Sequence, residues 1–424
     1  SKLPPLFGVP YTMKEMITVN GFKHTLGSVH RREALADRDA TVVERLRQAG
    51  AILLGTTNVP ELGFWFECSN PIYGRTNNPY DLSRTSGGSS GGEAAIIGCG
   101  ASPFGIGSDI GGSIRMPAAF CGIFGHKPSR HIVPLTGHFP LYFENASDWS
   151  GEKHPLTVLG PMSRRATDLY PLMQLLIGPD GFDSEIKTDF KLGERVTDWS
   201  SKTVWVMPSP RIRGVGLTDD EMRDSVKVAA GYFEAMGAKI KTMREDLFHD
   251  AVSMWFASLS RANEGSFTEI LSHGNEINYP REFFKIALSR GDYTLPSLFS
   301  SLLESYSRKR ESLEQKRVES LAKLHRLKVE INRLLGDNSI LILPVHPRVA
   351  PKHYAPLLRP FDYAMTAIFN SLETPATSVP MGLDGGLPLA VQIVAGEYQD
   401  HLTLSAAETL ETAFGGWQAP RALR

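Results

Sequence analysis

Charge of one sign, cysteine and long hydrophobic runs are all scarce in this 424-residue chain, and each shortage removes a class of function. Its 45 Lys and Arg against 46 Asp and Glu leave a formal charge of −1, so no basic surplus argues for a nucleic-acid partner. Three cysteines, Cys68, Cys99 and Cys121, are too few and too scattered for a disulfide framework or a zinc site, and their odd number fits a reducing, intracellular compartment. No His, Cys or Asp spacing matches a ligand set, so neither a metal nor an organic cofactor is expected. No uncharged apolar run approaches the roughly 18–20 residues of a spanning helix. The first twelve residues carry no basic-then-apolar leader pattern, and neither an internal repeat nor a low-complexity linker interrupts the chain. The first apolar run, LFGVP, begins so close to Ser1 that an upstream segment is expected to be missing, together with any anchor it carried.

What remains is an ordinary folded composition, 42% hydrophobic, 21% charged and 9% aromatic. Apolar runs predict strands at Leu6–Val9, Ala51–Thr56, Pro103–Gly107, Thr203–Val206, Ile340–Leu343 and Leu389–Val394. Helical spacing predicts helices at Ala40–Ala49, Ser90–Gly98, Asp219–Met236 and Ser307–Leu335. Strands alternating with helices predict an α/β fold: one large domain over residues 1–424, with a mixed, largely parallel central sheet covered by helices on both faces. Within it, residues 86–130 form a Gly/Ser-rich core and residues 190–335 a variable region. Residues 304–333 hold nine Lys or Arg against five Glu, beside the apolar LPSLFSSLL. Such a pair suits an anionic membrane surface, or else a solvated helix with Leu321, Leu324, Leu327, Ile331 and Leu334 turned to the core.

Glycine is in excess, 39 residues or about 9% against an average of about 7%, and it concentrates in SGGSSGG (86–92) and GIGSDIGGS (105–113). A phosphate cradle would need a following Gly-Lys-Ser/Thr or a G-x-G-x-x-G after a strand, and neither occurs. A flexible linker would not interleave its glycines with apolar residues such as Ala94–Ile97 and Phe104–Ile106. Glycines beside serines instead predict tight turns that bring hydroxyls and N–H groups to one point. Acyl transfer from an amide needs a nucleophile, a base and N–H donors for the oxyanion. In DIGGSIR, Ser113 follows Ile110, Gly111 and Gly112, whose amides can converge around it. The base is not selected by this reasoning, because no His/Asp pairing stands out among twelve histidines, His126 included.

The stretch GGSSGGEAAIIGCGASPFGIGSDIGGSIRMP (87–117) resembles the signature of the amidase signature family, and so do GVPYTMKE, TNVPELGFWFECSNPIYGRTNNPYD (57–81), IFGHKPS (123–129) and GLPLAVQIVAG (386–396). Within that family the chain is similar to type 2 fatty-acid amide hydrolases, notably in PVHPRVAPKHYAPLLRPFDYA (344–364) and DHLTL (400–404). The resemblance covers residues 6–130 and 340–415 strongly and 150–335 weakly.

It implies a serine hydrolase of fatty-acid amides that works through Ser-Ser-Lys, with Ser113 as nucleophile, Ser89 as bridge and Lys14 as base. The amides of Ile110, Gly111, Gly112 and Ser113 then form the oxyanion hole, and a cis peptide is implied at Ser89. Ser90 is a supporting residue, expected as a helix cap with Glu93 completing a capping box. Asp109 and Arg115, charges in an apolar setting, are expected to scaffold the turn, while His126 and Cys121 are expected to be structural. Gly63, Phe64 and Phe66 are implied to line the acyl channel, and LPSLFSSLL to dock on a membrane surface. A lysine with an ordinary pKa near 10.4 is protonated at neutral pH, so Lys14 must be buried to act as a base. The expected partners are a lipid amide, a membrane surface as a peripheral support and a second copy of the chain. Two other activities compete: a glutamine amidase component of a tRNA-dependent amidotransferase, and an amidase of short or aryl amides. The amidotransferase branch typically carries Thr and Gln where Ile110 and Met116 stand here, and that departure argues against it.

Overall fold

In the strand Ser339–Pro344, Ile340 and Ile342 enter one apolar cluster, and Leu341 and Leu343 enter another. Successive strand residues point to opposite faces, so a strand apolar at every position must be covered on both. One cluster gathers Val226, Ala229 and Phe233 from the helix Asp220–Ala235, with Leu402 and Leu410 from Asp400–Phe414. The other gathers Leu327, Ile331 and Leu335 from Glu311–Leu335, with Ile368 and Phe369 from Ala364–Ser371. Helices therefore lie on both faces of the sheet. These statements rest on a computed structural model that describes residues 3–139, 156–262, 267–288, 290–307 and 311–421.

The sheet has ten strands. In chain order they are β1 (Pro10–Lys14), β2 (Ile52–Thr57), β3 (Phe104–Asp109), β4 (Phe124–Lys127), β5 (Val158–Ser163), β6 (Thr203–Val206), β7 (Lys239–Thr242), β8 (Ser339–Pro344), β9 (Ala376–Asp384) and β10 (Leu387–Ala395). Their spatial order is β7-β6-β8-β10-β9-β4-β5-β3-β1-β2. Pairing is parallel at the two flanks, among β7, β6 and β8 and among β3, β1 and β2. Between them the pairing is antiparallel.

The mixed sheet expected from sequence is present, and its antiparallel centre is built from strands that apolar runs do not reveal: β4 (FGHK), β5 (VLGPMS) and β9 (ATSVPMGLD). Thr203–Val206 coincides with its expectation, whereas the first strand lies at Pro10–Lys14 instead of Leu6–Val9. Residues 4–9 turn instead: Phe7 N–H donates to the Pro4 carbonyl and Val9 N–H to that of Leu6. The segment LPSLFSSLL opens a helix, Leu295–Ser307, with Leu298 buried and Phe299 and Leu302 exposed. In the basic helix Leu327 and Ile331 are buried and Leu324 and Leu334 partly so, as an amphipathic surface helix requires; residues 308–310 lie outside the described residues.

Candidate active site

β1 has a parallel neighbour on each side, and alternation divides its side chains. Tyr11 and Met13 enter the apolar core, while Thr12 and Lys14 turn to the opposite, polar face. Lys14 is fully buried there. Its Nζ lies 2.7 Å from Ser89 Oγ, 2.9 Å from Ser108 Oγ and 3.2 Å from the Ser108 carbonyl. Burial pulls its pKa down to about 7, although the carboxylates of Asp109 and Glu93 pull the other way. The amine is both desolvated and hydrogen-bonded, the two conditions a lysine base requires.

Ser89 follows a cis Gly88–Ser89 peptide, and no Cβ fits at Gly88, which packs on the backbone of Trp65 and Phe66. The next residue, Ser90, donates its N–H to the Ser113 carbonyl at 3.1 Å, tying the Ser89 segment to the 110–113 turn. Ser90 does precede the helix Gly91–Gly98, but its hydroxyl makes no cap, and the expected capping box with Glu93 does not form. Ser90 Oγ instead donates to the Ser108 carbonyl at 3.3 Å. Glu93 turns to the sheet, where Thr57 donates to it at 2.6 Å and Thr12 bonds its other oxygen. The glycines of β3 make this possible: a Cβ at Gly105 would overlap the Glu93 carboxylate, and one at Gly107 would meet Ser90 Oγ at 2.8 Å. The Glu93 carboxyl, fully buried, is raised by desolvation to about 7.

The turn that carries Ser113 is held from behind. Asp109 and Arg115 form a wholly buried ion pair at 3.0 Å. Desolvation alone would raise the Asp109 pKa, but the Arg115 charge and hydrogen bonds hold it well below the carboxylate range. Arg115 also donates to the Thr366 carbonyl, Gln392 Oε1 and Asn370 Oδ1 at 2.9, 3.1 and 2.7 Å. Trp255 Nε1 binds the Ile110 carbonyl and Thr366 Oγ1 the Gly111 carbonyl, both at 2.8 Å. Asp109 and Arg115 thus fix the backbone of the turn. One expectation changes. The Gly112 N–H donates to Asp109 Oδ1 at 2.7 Å, so it is not free for an oxyanion, whereas the amides of Ile110, Gly111 and Ser113 meet no protein acceptor among the described residues.

Gly63 has φ +71°, and a Cβ there would collide with Met16 and stand 3.6 Å from Ser89 Oγ. Phe66 is buried against Met116, Ala119, Val345 and Ala390, beside the turn. Phe64 turns away from that cluster and packs on Phe267 with ring centroids 4.4 Å apart. His126 is locked between Thr377 and Asp400, and Cys121 is packed in an apolar cluster, so neither side chain reaches Ser113.

Sequence reasoning misses Ser108, the second holder of Lys14, and the outer ring of Trp255, Thr366 and Asn370. A signal for two of these exists in AMTAIFNS, an apolar helix whose Thr366 and Asn370 recur at i, i+4 on one face.

The Amidase family model matches residues 1–404. The human protein named fatty-acid amide hydrolase 2 is 40% identical over 427 residues, covering 98% of this chain and 77% of that protein. A glutamyl-tRNA(Gln) amidotransferase subunit of Methanosarcina acetivorans is 29% identical over 96% of this chain and 84% of its own length. Among solved structures, the corresponding glutamyl-tRNA(Gln) amidotransferase subunit of Thermotoga maritima superposes with a TM-score of 0.79 at 23% identity, covering 99% of this chain and 87% of that one.

Proposed function

The chain belongs to the amidase family and is an amide-hydrolysing enzyme, and on that premise we propose that it cleaves fatty-acid amides to a free fatty acid and an amine through Ser113, Ser89 and Lys14. The observation that carries the mechanism is the 2.7 Å contact between a buried, weakly basic Lys14 and Ser89. A neutral amine has two N–H bonds and one lone pair. Ser108 offers two acceptors, its carbonyl and its hydroxyl, which leaves the lone pair for the Ser89 hydroxyl.

Lys14 then removes the Ser89 proton as Ser89 removes that of Ser113, and Ser113 Oγ attacks the amide carbonyl. The tetrahedral oxyanion is met by the amides of Ile110, Gly111 and Ser113; each such donor is worth roughly 3–4 kcal/mol in comparable sites. The proton returns through Ser89 to the departing amine, leaving an acyl-enzyme on Ser113 that water hydrolyses along the same relay. Gly63, Phe64 and Phe66 line the acyl path in this reading. Phe284, Leu288, Phe299 and Leu302 are each exposed, and in this reading they supply the apolar contacts by which the enzyme sits on a membrane and takes a lipid amide directly. No helix among the described residues is long and apolar enough to cross one.

The test is incubation with oleoyl amide and with glutamine, following fatty acid and ammonia. Fatty acid released by the wild type and not by Lys14→Ala or Ser113→Ala is the expected result. Ammonia from glutamine with no hydrolysis of the lipid amide would replace this reading with the amidotransferase one, which the 29% identical relatives favour.

A further inference from the structure

Phe66, which shares an apolar cluster with Met116, also lines a cavity of about 310 Å³, to which His346, Arg348, Lys352, Arg359 and Asp362 supply polar groups. The charges do not cancel. Asp362 pairs with Arg348 at 3.3 Å and accepts the Gly216 N–H at 2.9 Å, while Lys352 and Arg359 have no carboxylate partner among the described residues. Three cations face one anion.

One of these cations also carries an unsatisfied donor. The Nε atom of Arg348 is buried and makes no hydrogen bond, whereas the Nε2 of His346, itself 2% exposed, faces the Asp362 carboxylate at 4.0 Å. The His346 Nδ1 donates to the Arg348 carbonyl at 2.9 Å, which leaves the ring lone pair on Nε2. A buried donor without an acceptor is unfavourable, and one that stands beside two unpaired cations is satisfied by an oxyanion. A guanidinium suits it especially, because its N–H groups lie in one plane and reach two oxygens at once.

We propose that this cavity binds a carboxylate or phosphate group, held by Arg348, Arg359 and Lys352. The site is distinct from the 110–113 turn but close to it. Phe66 is its shared wall, and the Phe66 backbone packs on Gly88, one residue before Ser89. The anion reaches it either as the charged end of an amide's amine portion or as a free ion that tunes the enzyme from beside the catalytic turn.

Calorimetric titration of the whole chain with inorganic phosphate at low ionic strength tests the site. A Lys352→Ala/Arg359→Ala double variant removes two exposed side chains without disturbing the core. One phosphate per chain, bound at least tenfold more weakly by the double variant, is expected. Absence of binding to the wild type, or equal affinity in both proteins, overturns the proposal. Kinetics then distinguish the sources: phosphate that raises KM only for an amide bearing a carboxylate on its amine identifies a substrate group, and phosphate that changes turnover of a neutral amide identifies a free ion. Binding with no effect on either substrate would overturn the link to catalysis. The titration needs no turnover, so its failure is separable from failure of the amidase reading.

Discussion

Ser108 grips Lys14 with two atoms, its hydroxyl at 2.9 Å and its carbonyl at 3.2 Å. The carbonyl survives any substitution, but the hydroxyl does not. Ser108→Ala therefore frees one N–H of the base and lets its lone pair swing away from Ser89. Loss of one such bond corresponds to about 1–3 kcal/mol, or roughly 5–150-fold in turnover. The fall is expected in kcat, with KM for a fatty-acid amide nearly unchanged and the pH profile displaced, and Ser108→Thr should restore most of it.

The pH dependence follows from burial of Lys14. Its pKa is lowered from 10.5 to about 7, so the neutral amine accumulates above about pH 7. kcat/KM of the wild type is expected to rise through pH 7 and then level, measured with a neutral amide. Stability moves in the same sense. Between about 7 and 10.5 the unfolded chain holds the proton that the folded chain has released, so folding gains as pH rises through that interval. The melting-temperature advantage of Lys14→Met over the wild type should accordingly shrink from about pH 7 to about pH 10.5.

Glu93 runs the opposite way. Its folded pKa of about 7 stands above the ordinary 4.5, so its contribution is intact below about pH 4.5 and is lost as pH rises to 7. Glu93→Gln removes that slope while keeping the shape of the side chain. Urea titrations at about pH 5 and about pH 7.5 should show a smaller stability difference in the variant than in the wild type.

Arg115→Ala would leave the Asp109 carboxylate buried without its counter-charge. Breaking such a pair from one side costs about 3–5 kcal/mol, a large part of a typical domain's stability. Denaturant titrations are expected to show a loss of that size, and Asp109→Asn combined with Arg115→Met to lose less than the sum of the single changes.

The proposed acyl path offers a milder lesion. Glu61 Oε2 accepts the amide and hydroxyl of Thr294 at 2.8 and 3.0 Å, fastening the start of the helix Leu295–Ser307 to the segment carrying Gly63, Phe64 and Phe66. Glu61→Ala unfastens it. KM for long-chain amides should rise by about tenfold, with short amides little affected, in a chain-length series.

How far these features are legible in the sequence depends on whether the signal is local. Strands such as Thr203–Val206 and the helix at 220–235 are announced by their own apolar spacing, and the glycine clusters announce a crowded polar site. Glu93 misleads because Ser-x-x-Glu reads the same whether the glutamate caps its helix or leaves it. The decision is made by Gly105, on a strand whose glycines open the space. Gly112 misleads less excusably, since Asp109 three residues earlier is a familiar acceptor for a turn amide. The antiparallel strands β4, β5 and β9 escape because Gly, Pro, His and Lys dilute their apolar character, and only pairing with neighbours makes them strands.

The partners of Arg115 have a consequence for biosynthesis. Ribosomes complete Ser113 more than 250 residues before Thr366, Asn370 and Gln392, which receive the guanidinium. A chain that stops short of Thr366 thus lacks the acceptors that hold the Arg115 guanidinium behind the turn. The buried network behind the turn therefore closes only after translation has passed Gln392.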